Sequence, residues 1–135
     1  MDTIGPKQRS EVMRRVRSKD TGPEMVVRRL VHSMGHRYRL HSATLPGRPD
    51  LVFAGRRKVV FVHGCFWHQH RGCGRARMPS SNRDYWVGKI KRNVSRDREV
   101  VRALRRAGWG VLTVWECELS NMGRLAERLG GFLDE

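Results

Sequence analysis

Residues 50–63 have the sequence DLVFAGRRKVVFVH, and this stretch decides the fold. Two apolar runs, 50–53 and 58–63, are separated by Ala-Gly-Arg-Arg, which is a spacing typical of two strands joined by a hairpin. The second run is apolar almost throughout, which predicts a central strand that is covered on both faces. The sequence therefore predicts a sheet that has 58–63 in its interior.

On the N-terminal side of this hairpin, the sequence predicts a helix, a short strand and a loop. Thr21 and Glu24 have the spacing of a capping box that begins a helix, and Gly35 ends that helix. Residues 36–41 alternate weakly and predict a short strand. Leu45–Pro49 has the composition of a rigid loop, so the first strand of the hairpin starts directly after a proline.

On the C-terminal side, helical and strand patterns alternate again. A long helix is predicted from about Asn82 to Ala107, followed by a buried strand over 111–115. A final helix has apolar positions at Leu125, Leu129 and either Phe132 or Leu133. With a basic helical arm at Lys7–Lys19 counted first, the order α-α-β-β-α-β-α predicts one α/β domain over 1–135, with helices on the faces of a sheet.

The charge of the chain predicts a polyanionic partner. Its 135 residues include 28 basic and 13 acidic side chains, a net charge of +15. Arginine predominates among the basic residues, and its planar guanidinium suits phosphate and base edges, so nucleic acid is favoured over an anionic membrane surface. No apolar stretch approaches the roughly 20 residues that span a bilayer, and no signal-peptide pattern follows Met1. We therefore expect a cytoplasmic protein without a membrane partner.

Residues 63–73 form the densest chemical cluster, HGCFWHQHRGC. Cys65 and Cys73 flank two histidines, and Cys117 follows a distant strand, which together predict a Cys3His set for a structural Zn²⁺. Spacing alone allows either His68 or His70 as the fourth ligand. The competing interpretation is three buried, reduced thiols.

Asp50, His63 and His68 are the candidates for hydrolytic chemistry. A carboxylate at a strand end is a common Mg²⁺ ligand, although an aspartate after proline also suits a turn. A histidine that titrates near neutral pH can activate water or protonate a leaving oxygen. The catalytic interpretation depends on Asp50, His63 and His68 occurring together, because a single histidine is more often structural. Glu24 is explained by its capping position as well as by a catalytic role.

Large aromatic rings lie among the basic residues of this region. Phe66 and Trp67 are in a polar, glycine-flanked loop, where rings can wedge between base pairs or cover the zinc site. Trp86 continues the apolar stripe of the predicted long helix and by pattern alone belongs to the core.

From about Arg9 to Leu119, the sequence resembles the very-short-patch-repair (Vsr) mismatch endonucleases, a branch of the restriction-endonuclease-like PD-(D/E)xK nucleases. The signposts are Arg9-Ser10 with Met13-Arg14, Asp20-Thr21 with Glu24, Leu45–Asp50, His63–His68, Trp86 with Lys89-Ile90, Asn93-Val94, Arg96-Asp97, Gly108-Trp109 and Val114–Cys117. The resemblance implies an enzyme that nicks one DNA strand 5′ to the T of a T·G mismatch, the product of 5-methylcytosine deamination.

The resemblance also implies catalytic roles for individual residues. Asp50 matches the aspartate that holds catalytic Mg²⁺, and Val62 stands where the family often has threonine and contributes its backbone carbonyl to the metal. His68 matches the general base for water, and His63 matches a histidine of the phosphate and water network. Glu24 matches an acid linked to the metal through water.

The family's zinc and DNA-binding residues carry over in the same way. The implied zinc ligands are Cys65, His70, Cys73 and Cys117. The implied DNA contacts are the aromatic wedge of Phe66, Trp67 and Trp86, the base-reading residues Lys89 and Asn93, and the clamping arm at 1–20 with Met13 and Arg14. The implied partner is double-stranded DNA with a T·G mismatch, with mismatch-repair proteins as further candidates, and the setting is bacterial and nucleoid-associated. A monomer suffices, because one nick requires one active site.

Two other functions fit the same residues. One is a homing or restriction-type nickase with a different target on the same scaffold. The other is a non-catalytic, zinc-stabilised DNA-binding module.

Overall fold

A computed structural model describes residues 21–134, which form one mixed sheet between helices. The helices are α1 (Gly22–Ser33), α2 (Arg83–Arg106) and α3 (Met122–Leu133). The strands are β1 (Arg39–Leu40), β2 (Leu51–Phe53), β3 (Lys58–His63) and β4 (Gly110–Trp115). This arrangement confirms the predicted α/β fold, in which helices flank a central sheet, and the sheet contains both parallel and antiparallel pairs.

The sheet has the spatial order β1-β2-β3-β4, so β3 is an interior strand as predicted. β2 pairs antiparallel with β3 through Leu51↔Val60, and a 3₁₀ turn at Ala54–Arg56 closes this hairpin. β3 pairs in parallel with β4 through Val60↔Leu112. A parallel pair needs a long crossover connection, and α2 lies within it.

Each face of the sheet has its own apolar core. Along β3, Val60 contributes to the core beside α1 and α3, while Val59 and Phe61 contribute to the opposite core. That opposite core includes Leu104 of α2. Since side chains of a strand alternate between faces, this division follows from the continuous apolar run of β3.

Several predicted boundaries differ from the structure: β2 begins at Leu51 and not at residue 50, β4 begins at Gly110 and not at residue 111, and the strand over 36–41 differs most. The strand predicted over 36–41 is reduced to Arg39–Leu40, because the backbone takes a left-handed conformation at Gly35 (φ +86°) and again at His41 (φ +44°). The long helix lies within its predicted bounds, with Asn82 and Ala107 as its caps. The predicted arm at Lys7–Lys19 lies outside the described residues.

The loop before β2 is held tightly against α2. Gly47 has φ +72°, and a Cβ at this position would collide with the side-chain methyls of Val100. Both the left-handed backbone and the close approach require glycine here. The loop therefore delivers Asp50 to a fixed place at the start of β2.

Candidate active site

Asp50 lies directly before β2 and faces the end of β3. Its Oδ2 accepts a hydrogen bond of 2.7 Å from the backbone N–H of Val62. Burial, together with the nearby charge of Glu24, raises the pKa of the Asp50 carboxyl to about 7, against the opposing effect of the Val62 hydrogen bond. Asp50 is therefore a desolvated carboxyl group whose negative charge a nearby cation would stabilise.

Glu24 and His41 complete a cluster around Asp50. Glu24 is in the first turn of α1, is 1% exposed, and its Oε2 lies 2.8 Å from His41 Nε2 and 3.3 Å from an Arg28 guanidinium nitrogen. Thr21 Oγ1 accepts from the Glu24 backbone N–H at 3.3 Å, so the predicted helix cap forms, while the carboxylate itself faces Asp50 and His41. The capping and site interpretations of Glu24 are compatible.

His41 was not predicted as a site residue. Its signal in the sequence is indirect: it ends the segment 36–41, which pairs with the start of the hairpin. The His41 backbone N–H donates to the Asp50 carbonyl oxygen at 3.3 Å, which brings the two side chains to one edge of the sheet. That register cannot be read from a two-residue strand by pattern alone.

A second cluster consists of His63, His68 and Asp97. His63 ends β3, and its ring stacks on that of His68 at a centroid distance of 3.7 Å and an interplanar angle of 10°. Burial, together with the positive potential of His68, lowers the pKa of His63 to about 4, against the opposing effect of Asp97. His63 is therefore neutral at physiological pH.

Asp97 is the other site residue that the sequence did not reveal. In the sequence it only interrupts the apolar stripe of the long helix, yet its Oδ2 lies 2.6 Å from His68 Nδ1. Its position four residues after Asn93 and eight after Lys89 places it on their helix face, a spacing that could have linked it to the site. A carboxylate at Nδ1 fixes the tautomer of His68 and leaves Nε2 as its basic atom.

The two clusters are neighbours through the end of β3. Asp50 is bonded to the backbone of Val62, and the next residue, His63, stacks on His68. Among the described residues, the ligand atoms of Glu24, His41 and Asp50 lie within 4.8 Å of one another, as do those of the second cluster. The oxygen and nitrogen donors of the first cluster fit a divalent cation, and the second offers an imidazole base.

Cys65, His70, Cys73 and Cys117 form a third cluster, with their ligand atoms within 4.8 Å. His70 Nδ1 is 3.3 Å from Cys117 Sγ and 3.8 Å from Cys65 Sγ. Ligands of a tetrahedral zinc are about 3.5–4 Å apart, since Zn–S and Zn–N bonds are about 2.3 and 2.0 Å. The donor set therefore fits Zn²⁺, and the structure brings His70, not His68, to the three cysteines.

The aromatic residues form one cluster beside the second histidine site. The Phe66 ring lies 5.1 Å from Trp67 and 5.9 Å from Trp86, and the two tryptophan rings are 5.8 Å apart. Trp86 is only half-buried, so its stripe position does not place it in the core. Tyr85 is 57% exposed at the edge of this cluster.

Lys89 and Asn93 lie next to these rings. Lys89 Nζ is 5.4 Å from the centroid of the Trp67 ring, and Asn93 Nδ2 donates to the Trp67 carbonyl oxygen at 3.4 Å. Both predicted base-reading residues are thus on the face of α2 that adjoins the predicted wedge. Met13 and Arg14 lie outside the described residues.

Comparison with known proteins identifies the family. A family model described as DNA mismatch endonuclease Vsr matches residues 1–75. The chain is 41% identical over 119 residues to the DNA mismatch endonuclease Vsr of Escherichia coli (strain K12), an alignment that covers 88% of this chain and 76% of that protein. The chain belongs to the Vsr family. It is therefore a DNA endonuclease, and the predicted resemblance is confirmed.

Other members and one solved structure extend this comparison. The type II nicking enzyme V.XorIIP of Xanthomonas oryzae is 52% identical over 133 residues, covering 98% of this chain and 97% of that protein. The homing endonuclease I-Bth0305I catalytic domain superposes with a TM-score of 0.52 at 21% identity, covering 84% of this chain and 94% of that domain. The likeness to this solved structure shows that the two chains share a mixed α/β fold.

Within residues 21–134, no helix combines the length and apolar character that crossing a bilayer requires.

Asp50→Asn is expected to stabilise the Vsr fold above neutral pH when no Mg²⁺ is added. Folding raises the pKa of Asp50 from 3.8 to about 7, so this group favours the folded state below about pH 4 and loses that contribution as the pH rises through 7. At about 1.36 kcal/mol per pH unit, the loss reaches about 4 kcal/mol, and the amide avoids it while still accepting from Val62.

Urea unfolding at pH 5 and pH 8, in buffer with zinc but without magnesium, measures this effect. The gain of the variant should be larger at pH 8. Asp134→Asn is the control, because this carboxylate is 70% exposed and should change the free energy of unfolding little. A variant no more stable than the parent at pH 8 would contradict the assignment of a desolvated Asp50.

Proposed function

We propose that this protein is a Mg²⁺-dependent endonuclease that nicks one DNA strand 5′ to the mispaired T of a T·G mismatch, on a restriction-endonuclease-like fold. The observation that carries the proposal is the adjacency, at the end of β3, of a buried carboxylate cluster and a carboxylate-oriented histidine. Membership of the Vsr family supports it independently.

The metal-binding part of the proposal rests on Asp50. Asp50 and the backbone carbonyl of Val62 would hold Mg²⁺, with Glu24 completing the charge around it. Bound there, Mg²⁺ supplies neutralisation of the charge on the scissile phosphate and its leaving oxygen. The fit is supported by the donor set, since the two carboxylates lie side by side and burial disfavours the negative charge of Asp50.

The proton-transfer part rests on His68. Nε2 of His68 accepts a proton from the attacking water as the water oxygen forms its bond to phosphorus and the sugar oxygen leaves. Asp97 is a positioning residue, because its carboxylate holds Nδ1–H and stabilises the imidazolium that forms. Neutral His63 packs against the His68 ring and is assigned to the phosphate and water network.

The proposed zinc site stabilises the fold and takes no part in the hydrolysis. Zn²⁺ bound by Cys65, His70, Cys73 and Cys117 has four protein ligands and no open position, which is typical of structural sites. Such a site ties the loop after β3 to the end of β4. His68 lies within that loop, so the zinc site also fixes the general base.

Mismatch recognition is assigned to the aromatic cluster and its neighbours. Insertion of Phe66, Trp67 and Trp86 costs a few kcal/mol of unstacking, which is smaller at a weak T·G wobble than at a paired step. Lys89 and Asn93 adjoin these rings and are assigned to the major-groove base edges. Met13 and Arg14 of the basic arm are assigned to the opposite, minor-groove side.

The remaining parts of the proposal concern the setting of the enzyme. We infer a cytoplasmic, nucleoid-associated monomer that acts on double-stranded DNA, with mismatch-repair proteins as candidate partners. The net charge of +15 supports binding to the duplex backbone, which is strongly dependent on salt.

Duplexes that differ in one base pair test this proposal. T·G, A·C, T·A and C·G versions, each within randomised flanks and labelled on either strand, are incubated with Mg²⁺ and zinc-loaded protein. We expect one nick, 5′ to the T, with T·G preferred over matched duplexes by about 5- to 150-fold, since one mismatched pair changes binding by about 1–3 kcal/mol. Equal cutting of matched duplexes at a fixed sequence indicates a homing or restriction-type nickase, and no cutting indicates a non-catalytic module.

A further inference from the structure

The backbone around His41 fixes its side chain beside the proposed metal site. His41 follows β1 in register with Asp50, and its N–H donates to the Asp50 carbonyl oxygen. Its φ of +44° is in the left-handed region, which histidine occupies more readily than most residues. The imidazole is therefore held at the sheet edge by the backbone and not by a flexible loop.

The ring presents a nitrogen donor to the two carboxylates. His41 Nε2 lies 2.8 Å from Glu24 Oε2, and the ligand atoms of Glu24, His41 and Asp50 lie within 4.8 Å of one another. Adjacent ligands of an octahedral divalent cation are about 3 Å apart, since its metal–ligand bonds are about 2.1 Å. Glu24 and His41 already have the separation of neighbouring ligands, and the ligand atom of Asp50 lies within 4.8 Å of both.

The two carboxylates of the cluster favour a cation at this place. They lie next to each other, and Arg28 lies 3.3 Å from Glu24. Glu24 is 1% exposed and His41 20% exposed. Buried carboxylates are costly unless they are paired or coordinate a metal, and a neutral imidazole can join them as a ligand through Nε2.

We propose that His41 is a nitrogen ligand of the metal held by Asp50 beside Glu24, so that this site prefers Mn²⁺ over Mg²⁺ more than an all-oxygen site would. The inference rests on the proposed function, from which it takes the position of the metal. Imidazole suits transition-metal ions, whereas carboxylates and water suit Mg²⁺, so the added nitrogen changes the selectivity of the site.

Electron spin-echo spectroscopy of Mn²⁺ bound to the full, zinc-loaded chain tests this directly, because it detects ¹⁴N nuclei bonded to manganese. The parent and His32→Gln, an exposed histidine of α1, should both show nitrogen coupling. His41→Gln should lose the nitrogen coupling. The dissociation constant of this variant for Mn²⁺ should rise about tenfold or more, while its dissociation constant for Mg²⁺ changes less. His41→Asn, which tolerates the left-handed backbone, is a second variant if the first fails to fold.

The outcomes separate this inference from the proposed function. Nitrogen coupling that persists in both His41 variants overturns the ligand role, even if T·G nicking occurs. Coupling lost with His41→Gln or His41→Asn supports the ligand role, even if no duplex is cut, because the measurement contains no DNA. Equal effects of the His32 and His41 changes on Mn²⁺ affinity would also overturn it.

Discussion

Cys117→Ser is expected to lose bound zinc and to unfold the chain at room temperature. The side chain follows β4 and contributes the cluster's only ligand from that part of the described chain, at 3.3 Å from His70 Nδ1. Formation of a structural zinc site in small peptides is worth about 10–16 kcal/mol. A whole domain is stable by about 5–15 kcal/mol, so loss of the site is comparable to loss of the fold.

Metal content and far-ultraviolet circular dichroism of the purified variant measure this outcome. Ser120→Ala is a matched control, because Ser120 is exposed, lies with Cys117 in the 3₁₀ segment Glu116–Ser120 and bonds only to the Cys117 carbonyl among the described contacts. This control should retain one zinc and the parental unfolding midpoint. A Cys117→Ser protein that is free of zinc and as stable as the parent would refute a structural zinc site.

Much of the fold could be predicted because its apolar pattern is unambiguous. The run over β3 predicted a strand covered on both faces, and the structure has Val59 and Val60 fully buried between two cores. The 24-residue helix α2 was predicted to within one residue at each end, since its stripe is long and Gly108 stops it. Strand β1 was less predictable, because left-handed residues at both ends of its segment leave only two paired positions.

Residues of the candidate site could be predicted where their types are rare. They were harder to predict where the pairing of distant elements determines which side chains meet. The cysteines and the histidine-rich loop indicated the cluster of three cysteines and a histidine, but the choice between His68 and His70 depends on loop geometry that spacing does not give. His41 and Asp97 were missed because each joins the site through a partner far along the chain, at 17 and 29 residues respectively. In the sequence these two residues have only the ordinary properties of a strand end and a helix surface.

The nicking rate of Asp50→Ala under single turnover tests the central claim, that a metal-binding carboxylate and an imidazole act on one phosphodiester. Removing the carboxylate should lower the rate with Mg²⁺ by about 10³-fold or more, since several kcal/mol of charge stabilisation are lost at about 1.4 kcal/mol per factor of ten. Affinity for the T·G duplex should be largely unchanged, because recognition is assigned to other residues, and Asp50→Asn serves as the isosteric comparison. The account predicts bound but uncut T·G duplex, whereas nicking at the parental rate by either folded variant would contradict it.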